Sequence, residues 1–450
     1  MTYPEAIQFL YDLRIFGTKF GLENTRELAA LAGNPHERLR FIHVAGTNGK
    51  GSTCAMLEGI YRAAGLRVGL FTSPHLVAFG ERIQVNRENI SEADVVRLVE
   101  ELRELIEHAK NSPTDRASFQ PTFFEFVTVM ALRYFAEQRC DLVIWETGLG
   151  GRLDATNIVT PLASVITNIQ LDHQQWLGDT IGKIAFEKAG IIKQGVAVLT
   201  GEDSPEALAV IREKAGSIGA PLTTTTSQDF SDPLIDSIRL PLPGEHQRRN
   251  ASLALATVRV VGKQIPVQET AIRKGLETVQ WGARFQIIRL TDGRVIILDA
   301  AHNPAGVAVL LETLNQTFPG VRPALIFGAM RDKDWRQMCL CLAPAVSRVI
   351  VTSAQSERAT TPEELHEAFA SFKIDVSIEV SRSLSEAFAL AATDSFVLVT
   401  GSLHFVGEAM ELMNVLPAPA SEERGLNEWT TPRDRAAPNP GVRNPTANPM

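Results

Sequence analysis

From about residue 40 to residue 400 the chain alternates short β-branched runs with longer stretches whose apolar residues fall three and four apart. The runs are FIHVA (41–45), RVGLFT (67–72), DLVIWE (141–146), ASVITNI (163–169), VIILDA (295–300), ALIFGA (324–329), RVIVTS (348–353) and FVLVT (396–400). Between them lie EADVVRLVEELRELIEHA, FFEFVTVMALRYFAEQ and TPEELHEAFASF. A continuous apolar run suits a strand buried on both faces, and a three-four spacing suits a helix with one buried face. The alternation predicts an α/β fold of parallel sheets covered by helices on both sides. With 450 residues and roughly 150 per domain, more than one domain is expected. The helical stretches HQRRNASLALATVRVVG and VQETAIRKGLETV end near residue 280, and a fresh strand-helix series starts after WGARFQ. This predicts a domain over 1–280, a linker over 281–285 and a second domain over 286–416, with a ligand cleft between the two. From Pro417 to Met450 the chain is rich in Pro, Asn and Arg without apolar periodicity, which predicts a disordered tail.

The formal charge of -8 offers no basic field for nucleic acid, so an anionic substrate must be held by local positive groups. Cys54, Cys140, Cys339 and Cys341 form no CxxC pair and read as buried thiols. The start MTYPEAIQFL lacks a basic region followed by an apolar run, and no stretch reaches the ~18 apolar residues of a membrane span. The cytoplasm is therefore the expected location.

The strand FIHVA runs into Gly46-Thr47-Asn48-Gly49-Lys50-Gly51-Ser52 and then into the helical pattern TCAMLEGIYRAAG. A strand, a glycine-rich turn and a helix N-terminus make a phosphate cradle, because backbone N–H groups and the helix end face the same oxygens. Lys50 adds a full charge, and Thr47 and Ser52 add hydroxyls. The spelling departs from GxxxxGK[ST], since Gly51 stands where Ser or Thr is expected.

Three further clusters follow predicted strands: Ser73-Pro74-His75-Leu76; Glu146-Thr147-Gly148-Leu149-Gly150-Gly151-Arg152-Leu153-Asp154; and Leu171-Asp172-His173. Open α/β sheets bind ligands outside the carboxyl ends of their strands. Mg²⁺ takes oxygen ligands and usually only one or two protein carboxylates. Glu146 is the natural carboxylate, Ser73 offers a hydroxyl, and His173 could complete a second metal site. The plainer alternatives are a surface glutamate and a histidine bonded to a loop. Lys188, within Ile-Ala-Phe-Glu-Lys-Ala-Gly-Ile-Ile-Lys (184–193), is flanked by small and apolar residues that would shield its amine. Spacing alone favours a lysine whose ammonium reaches solvent.

The motifs GTNGKGS, TSPHL with ERI (81–83), TFFE (122–125), ETGLGGRLDATN (146–157), TNIQLDH (167–173), LGDTIGKIAFEKAGIIK (177–193), HQRRN (246–250), AHNP (301–304), FGAMRDKD (327–334) and TGSLHFVGE (400–408) stand in one order along the chain. In that order they resemble the folylpolyglutamate synthases and dihydrofolate synthases, the folate branch of the Mur ligase family. The resemblance covers about residues 10 to 410. It implies an N-terminal P-loop NTPase-like parallel-sheet domain and a C-terminal Rossmann-like domain closing over ATP. It implies Mg²⁺ at Ser73, Glu146 and His173, and a carbamylated Lys188. It implies ATP contacts at Gly46, Thr47, Asn48, Gly49, Lys50, Gly51, Ser52, Asn250, Arg284, Asp299 and His302, with Lys50, Lys188 and His173 as catalytic residues. Thr122, Phe124 and Asp154 fall where the pterin substrate binds in bifunctional members.

The implied activity is ATP-dependent joining of L-glutamate to dihydropteroate, to a reduced folate, or to both, through an acyl phosphate. The implied partners are these small molecules, with no nucleic acid and no membrane, and the chain is expected to be a monomer. A Mur-type ligase for another amino acid and acceptor remains the nearest alternative. Two spellings depart from the family's. Pro-Gly-Arg-Phe is replaced by Gly282-Ala283-Arg284-Phe285, and Asp-Gly-Ala-His-Asn by Asp299-Ala300-Ala301-His302-Asn303. A Gly-to-Ala change is costly only where the backbone needs φ > 0.

Overall fold

The computed structural model describes residues 1–14, 21–111, 119–225, 232–372, 376–416 and 423–427. Eight strands form the first sheet: β1 (Phe41–Ala45), β2 (Val68–Phe71), β3 (Ile83–Val85), β4 (Glu88–Asn89), β5 (Leu142–Glu146), β6 (Ala163–Ile166), β7 (Ala197–Thr200) and β8 (Leu222–Thr224). Their order is β4-β3-β2-β5-β1-β6-β7-β8. Six form the second: β9 (Gln286–Arg289), β10 (Val295–Leu298), β11 (Ala324–Phe327), β12 (Arg348–Val351), β13 (Ser377–Val380) and β14 (Phe396–Thr400), ordered β13-β12-β11-β14-β10-β9. Every β-branched run quoted above contains one of these strands.

Both sheets are parallel except at their edges, where β3 and β4 form an antiparallel hairpin and β9 pairs antiparallel with β10. The hairpin turn has both central residues at positive φ, Asn86 at 51° and Arg87 at 71°, which matches the twist of two short strands. These edge strands are too short, or too exposed, to carry a periodic signal.

Alternation along the strands gives the first sheet two apolar faces. Phe41, Phe71, Val143 and Trp145 pack with Phe126 and Phe135 on one side. Ile42, Val44, Leu70 and Ile144 pack with Met56, Leu57, Ile60 and Leu253 on the other. Truncating a buried aromatic such as Trp145 to Ala typically costs about 3–5 kcal/mol. The second sheet repeats the arrangement, with Ile297, Leu325, Phe327 and Val349 on one face and Ile296, Leu298, Ile326 and Val399 on the other.

The chain leaves β1 for β2 on one side and returns to β6 on the other, with β5 and β6 flanking β1. Val44 is in register with Glu146, and Ala45 with Ile166. The loops after β1, β5 and β6 therefore open side by side at the switch point, where ligands bind in open α/β sheets.

Two expectations need correction, and one condition is resolved. Cys54, Cys140 and Cys339 are buried, but Cys341 is only half-buried. Both Cys339 and Cys341 lie on the helix Trp335–Leu342, where residues two apart face different sides. Part of the segment expected to be a disordered tail is also ordered: Arg424–Asn427 forms a 3₁₀ turn with Leu426 buried. One apolar side chain and a few polar ones suffice to dock it, which a compositional reading misses; the rest of that segment lies outside the described residues. Of the two substituted glycine positions, only one matters to the backbone: Ala283 has φ 56°, while Ala300 is not among the positive-φ residues.

Candidate active site

The helix Lys50–Ala63 begins directly after β1 and the loop, with Gly49 at its N-cap at φ 81°. That backbone position favours glycine. The loop is pinned from β6: Thr47 N donates to Asn168 O (2.8 Å) and Asn48 N to Asn168 Oδ1 (2.8 Å). Gly51 has a packing reason. A Cβ there would lie 2.9 Å from the Trp281 indole, so the departure from the common spelling lets the Trp281 ring cover the loop. Ser52 Oγ is buried without a partner.

Glu146 ends β5 beside this loop. Its carboxylate lies 4.0 Å from Lys50 Nζ and accepts from Ser73 N at 3.3 Å. Burial pushes its pKa up to about 7 despite the Lys50 charge, so the site stabilises the carboxylate poorly without a further cation. Ser73 Oγ accepts from Arg82 Nη1 at 2.9 Å. Lys188 is buried and donates to Gly46 O at 2.7 Å. Burial, then the nearby Lys50, pulls its pKa down to about 7, so its amine is partly neutral at neutral pH.

Asp172 joins the two sheets' halves. Its carboxylate accepts from Lys333 Nζ (2.6 Å) and Asn303 Nδ2 (3.3 Å), with His302 Nε2 at 3.5 Å. Burial would raise its pKa, but the His302 hydrogen bond and the Lys333 charge hold it well below the usual range. His173 Nε2 lies 3.2 Å from Lys333 Nζ. Burial and Lys333 lower its pKa to about 3, leaving a neutral imidazole. Asn303 also donates to Asn48 Oδ1 of the loop at 3.2 Å. Asp299 accepts from Phe285 N and Ala301 N, and its charge supports the half-buried Arg284. Asn250, on the helix Glu245–Val261, packs against Gly49.

Lining residues from both sheets enclose one cavity of about 1100 Å³, among them Lys50, Ser73, Glu146, His173, Lys188, Asn250, Arg284, Asp299 and His302. Thr122, Phe124 and Asp154 line it too. Thr122 caps the helix Phe123–Glu137 in a reciprocal pair with Glu125. Asp154 spends its oxygens on its own loop, accepting from Leu149 N (2.7 Å) and Thr156 N (3.0 Å). Phe124 is the one of the three whose side chain is not taken up by capping.

A sequence model described as Mur ligase middle domain matches residues 44–258, and one described as Mur ligase, glutamate ligase domain matches residues 283–403. The chain is 36% identical over 427 residues to the dihydrofolate synthase/folylpolyglutamate synthase of Bacillus subtilis, covering 90% of this chain and 98% of that protein. It belongs to this branch of the Mur ligase family. Folylpolyglutamate synthase from Mycobacterium tuberculosis, solved with ADP and AMPPCP, aligns at TM-score 0.82 and 30% identity, covering 91% of this chain and 98% of that one. E. coli FolC in complex with DHPP and ADP aligns at TM-score 0.80 and 32% identity, covering 92% and 98%.

The chain is thus a ligase, and its donor set can be tested against the magnesium ion that the family implies. A buried, poorly compensated Glu146 and the adjacent Ser73 hydroxyl suit one oxygen-coordinated cation with water completing the shell. His173 fits less readily, because Lys333 faces its Nε2. Among the described residues no three His, Cys, Asp or Glu side chains form a metal-holding group. Residue reasoning missed Arg82, Asn303 and Lys333 of this ligase site, and noted Asp172 without giving it a role. All four stand in motifs already quoted (ERI, TNIQLDH, AHNP, FGAMRDKD), so a polar residue inside a motif was the available signal.

Proposed function

We propose that the chain is bifunctional, using ATP to join L-glutamate both to dihydropteroate and to reduced folates or folylpolyglutamates. The observation that carries this reading is the pairing of Lys50 and the buried Glu146 at the mouth of a glycine loop, inside a cavity lined from both sheets. The relatives' complexes with ADP, AMPPCP and DHPP support it.

In this reading ATP lies with its phosphates on the N–H groups of Gly46–Ser52, and Lys50 neutralises charge on the β- and γ-phosphates. Asn250 contacts the nucleotide from the first domain, and Arg284, Asp299 and His302 from the linker and the second domain. Glu146 and Ser73, with His173 if Lys333 withdraws, would hold Mg²⁺, which offsets negative charge on the transferring phosphoryl group when bound. An acceptor carboxylate oxygen takes the γ-phosphoryl group, and ADP leaves. The glutamate amine then attacks the acyl carbon, phosphate departs with the C–O bond pair, and an amide remains. Phe124, with Thr122 and the loop built by Asp154, forms the wall for the pterin. Lys188, if carbamylated, adds a carboxylate beside Gly46.

The linker 281–285 serves as the hinge between the domains 1–280 and 286–416, with Ala283 and Phe285 at positive φ. Closure excludes water that would hydrolyse the acyl phosphate. The proposed setting is the cytoplasm; no helix among the described residues is long and apolar enough to cross a membrane. The proposed state is a monomer, since one chain supplies both walls of the cavity.

The test is ADP release by the purified protein with L-glutamate and each acceptor in turn. Turnover with dihydropteroate and with a reduced folate is expected, and both should vanish in Lys50→Ala and Glu146→Ala variants that keep the wild-type fold. ADP release that ignores the acceptor, or that survives Lys50→Ala, would overturn the reading. Turnover with only one acceptor would overturn bifunctionality alone.

A further inference from the structure

The site contains a buried guanidinium whose hydrogen bonds go to neutral groups. Arg82 is 2% exposed, and its donors go to His75 Nδ1 (2.8 Å), Ser73 Oγ (2.9 Å) and Asn427 Oδ1 (2.6 Å). The last partner comes from a segment 345 residues away in sequence. Asn427 also donates from Nδ2 to His75 O at 2.9 Å, so one amide grips both the arginine and the backbone of the loop that carries it.

The same segment holds this loop at two more points. Glu423 Oε2 accepts from Phe79 N (2.5 Å), and Glu423 O accepts from His75 Nε2 (3.1 Å). Since His75 Nδ1 accepts from Arg82, its proton is on Nε2, in agreement with that bond. The segment is itself anchored. Tyr3 hydrogen-bonds Glu423, Leu426 enters the core beside Ile7 and Leu10, and Arg424 pairs with Glu411 at 2.5 Å. Leu426 and Asn427 line the main cavity. Packing alone would be met by Leu426; the polar bonds converge instead on residues 73–82.

We infer that residues 423–427 are a positioning segment of the active site, with Asn427 aiming the Arg82 guanidinium that holds the Ser73 hydroxyl beside Glu146. The inference rests on the reading of Ser73 and Glu146 as cation ligands. A hydroxyl ligand is useful only when its lone pair faces the ion, and Arg82 fixes that direction by occupying the other side of the oxygen. Partners behind a ligand commonly change metal affinity by about 10–100-fold. Asn427 stands one bond further out, so an effect near the lower end is expected.

The test uses the full chain with AMPPCP and Mn²⁺ as the probe, titrated by electron paramagnetic resonance, with melting temperature measured in parallel. Asn427→Ala should weaken Mn²⁺ binding by about tenfold and leave the KM for glutamate unchanged. Asn427→Asp keeps an acceptor for Arg82 and should stay within about threefold of the wild type. Should Asn427→Ala fail to fold, Asn427→Ser withdraws the acceptor from Arg82 with a smaller loss of packing and carries the same expectation. Wild-type Mn²⁺ binding in the Asn427 variants, with weakened binding in Ser73→Ala, would reduce the segment to packing and overturn the inference. Wild-type binding in Ser73→Ala as well would remove the premise, and the inference with it.

Discussion

Neutralising Asp172 or Lys333 should break the strongest link between the two sheets. The two side chains are 7% and 10% exposed, and their charged atoms are 2.6 Å apart. At that separation and an effective dielectric of ~20, opposite unit charges attract by about 6 kcal/mol. Desolvation cancels much of this, and removing one partner of such a pair typically costs about 3–5 kcal/mol. Lys333→Met leaves Asp172 with Asn303 and His302 at 3.3 and 3.5 Å, which sets the expected loss near 3 kcal/mol. Asp172→Asn leaves the Lys333 ammonium facing His173 and should cost a similar amount. In the double variant neither charge is stranded, so the losses should fall short of additive by about 2–3 kcal/mol. Urea unfolding followed by tryptophan fluorescence reads both halves, because Trp145 is buried in the first and Trp335 in the second. Additive losses would refute the argument, and so would single variants within ~0.5 kcal/mol of the wild type.

Three other outcomes are expected. Glu146 has its folded pKa raised by burial to about 7 from the ordinary 4.5, so the folded state binds the proton more tightly. The metal-free protein should therefore lose about 3 kcal/mol of stability relative to Glu146→Gln as pH rises through this window; pH-resolved melting of both proteins without divalent cation checks it, and a flat difference would count against it. Ala283→Gly relieves a left-handed alanine while Ala300→Gly relieves none, and both methyls are buried. Unfolded-state entropy and methyl burial roughly cancel in the comparison, so Ala283→Gly should be the more stable by about 1–2 kcal/mol in urea. Restoring the common loop spelling with Gly51→Ser should weaken AMPPCP binding and cost about 1–3 kcal/mol through overlap with Trp281, with Trp281→Ala recovering part of both in a calorimetric titration.

Most central strands and the long helices were legible because the strands are continuous apolar runs and the helices place apolar residues three and four apart. Strands β3, β4, β7, β8, β9 and β13 were not: β4, β8, β9 and β13 lie at sheet edges, which need no such pattern, and β3 and β7 are runs of only three and four residues. Among the sites, the loop Gly46–Ser52 and Glu146 could be read from chemistry, since a lysine after glycines and a carboxylate ending an apolar strand have few other uses. Lys188 could not. Its burial against Gly46 O comes from the helix Ile181–Ala189 packing under the loop, a long-range fact that local spacing does not encode. The contacts of Lys333 with Asp172 and of Asn427 with Arg82 were illegible for the same reason: each joins segments more than 150 residues apart.

The registered pairing of β1 with β5 has a consequence for how this molecule can change. Val44 and Glu146 are neighbours in one hydrogen-bond ladder, so the spacing between the anion cradle and the backbone that bears the carboxylate is set by the main chain. Phe124 and the 148–154 turn hang outside that ladder. New acceptors can thus be selected by reshaping those peripheral parts while the phosphoryl-transfer frame stays fixed, and libraries aimed at altered substrate choice belong there.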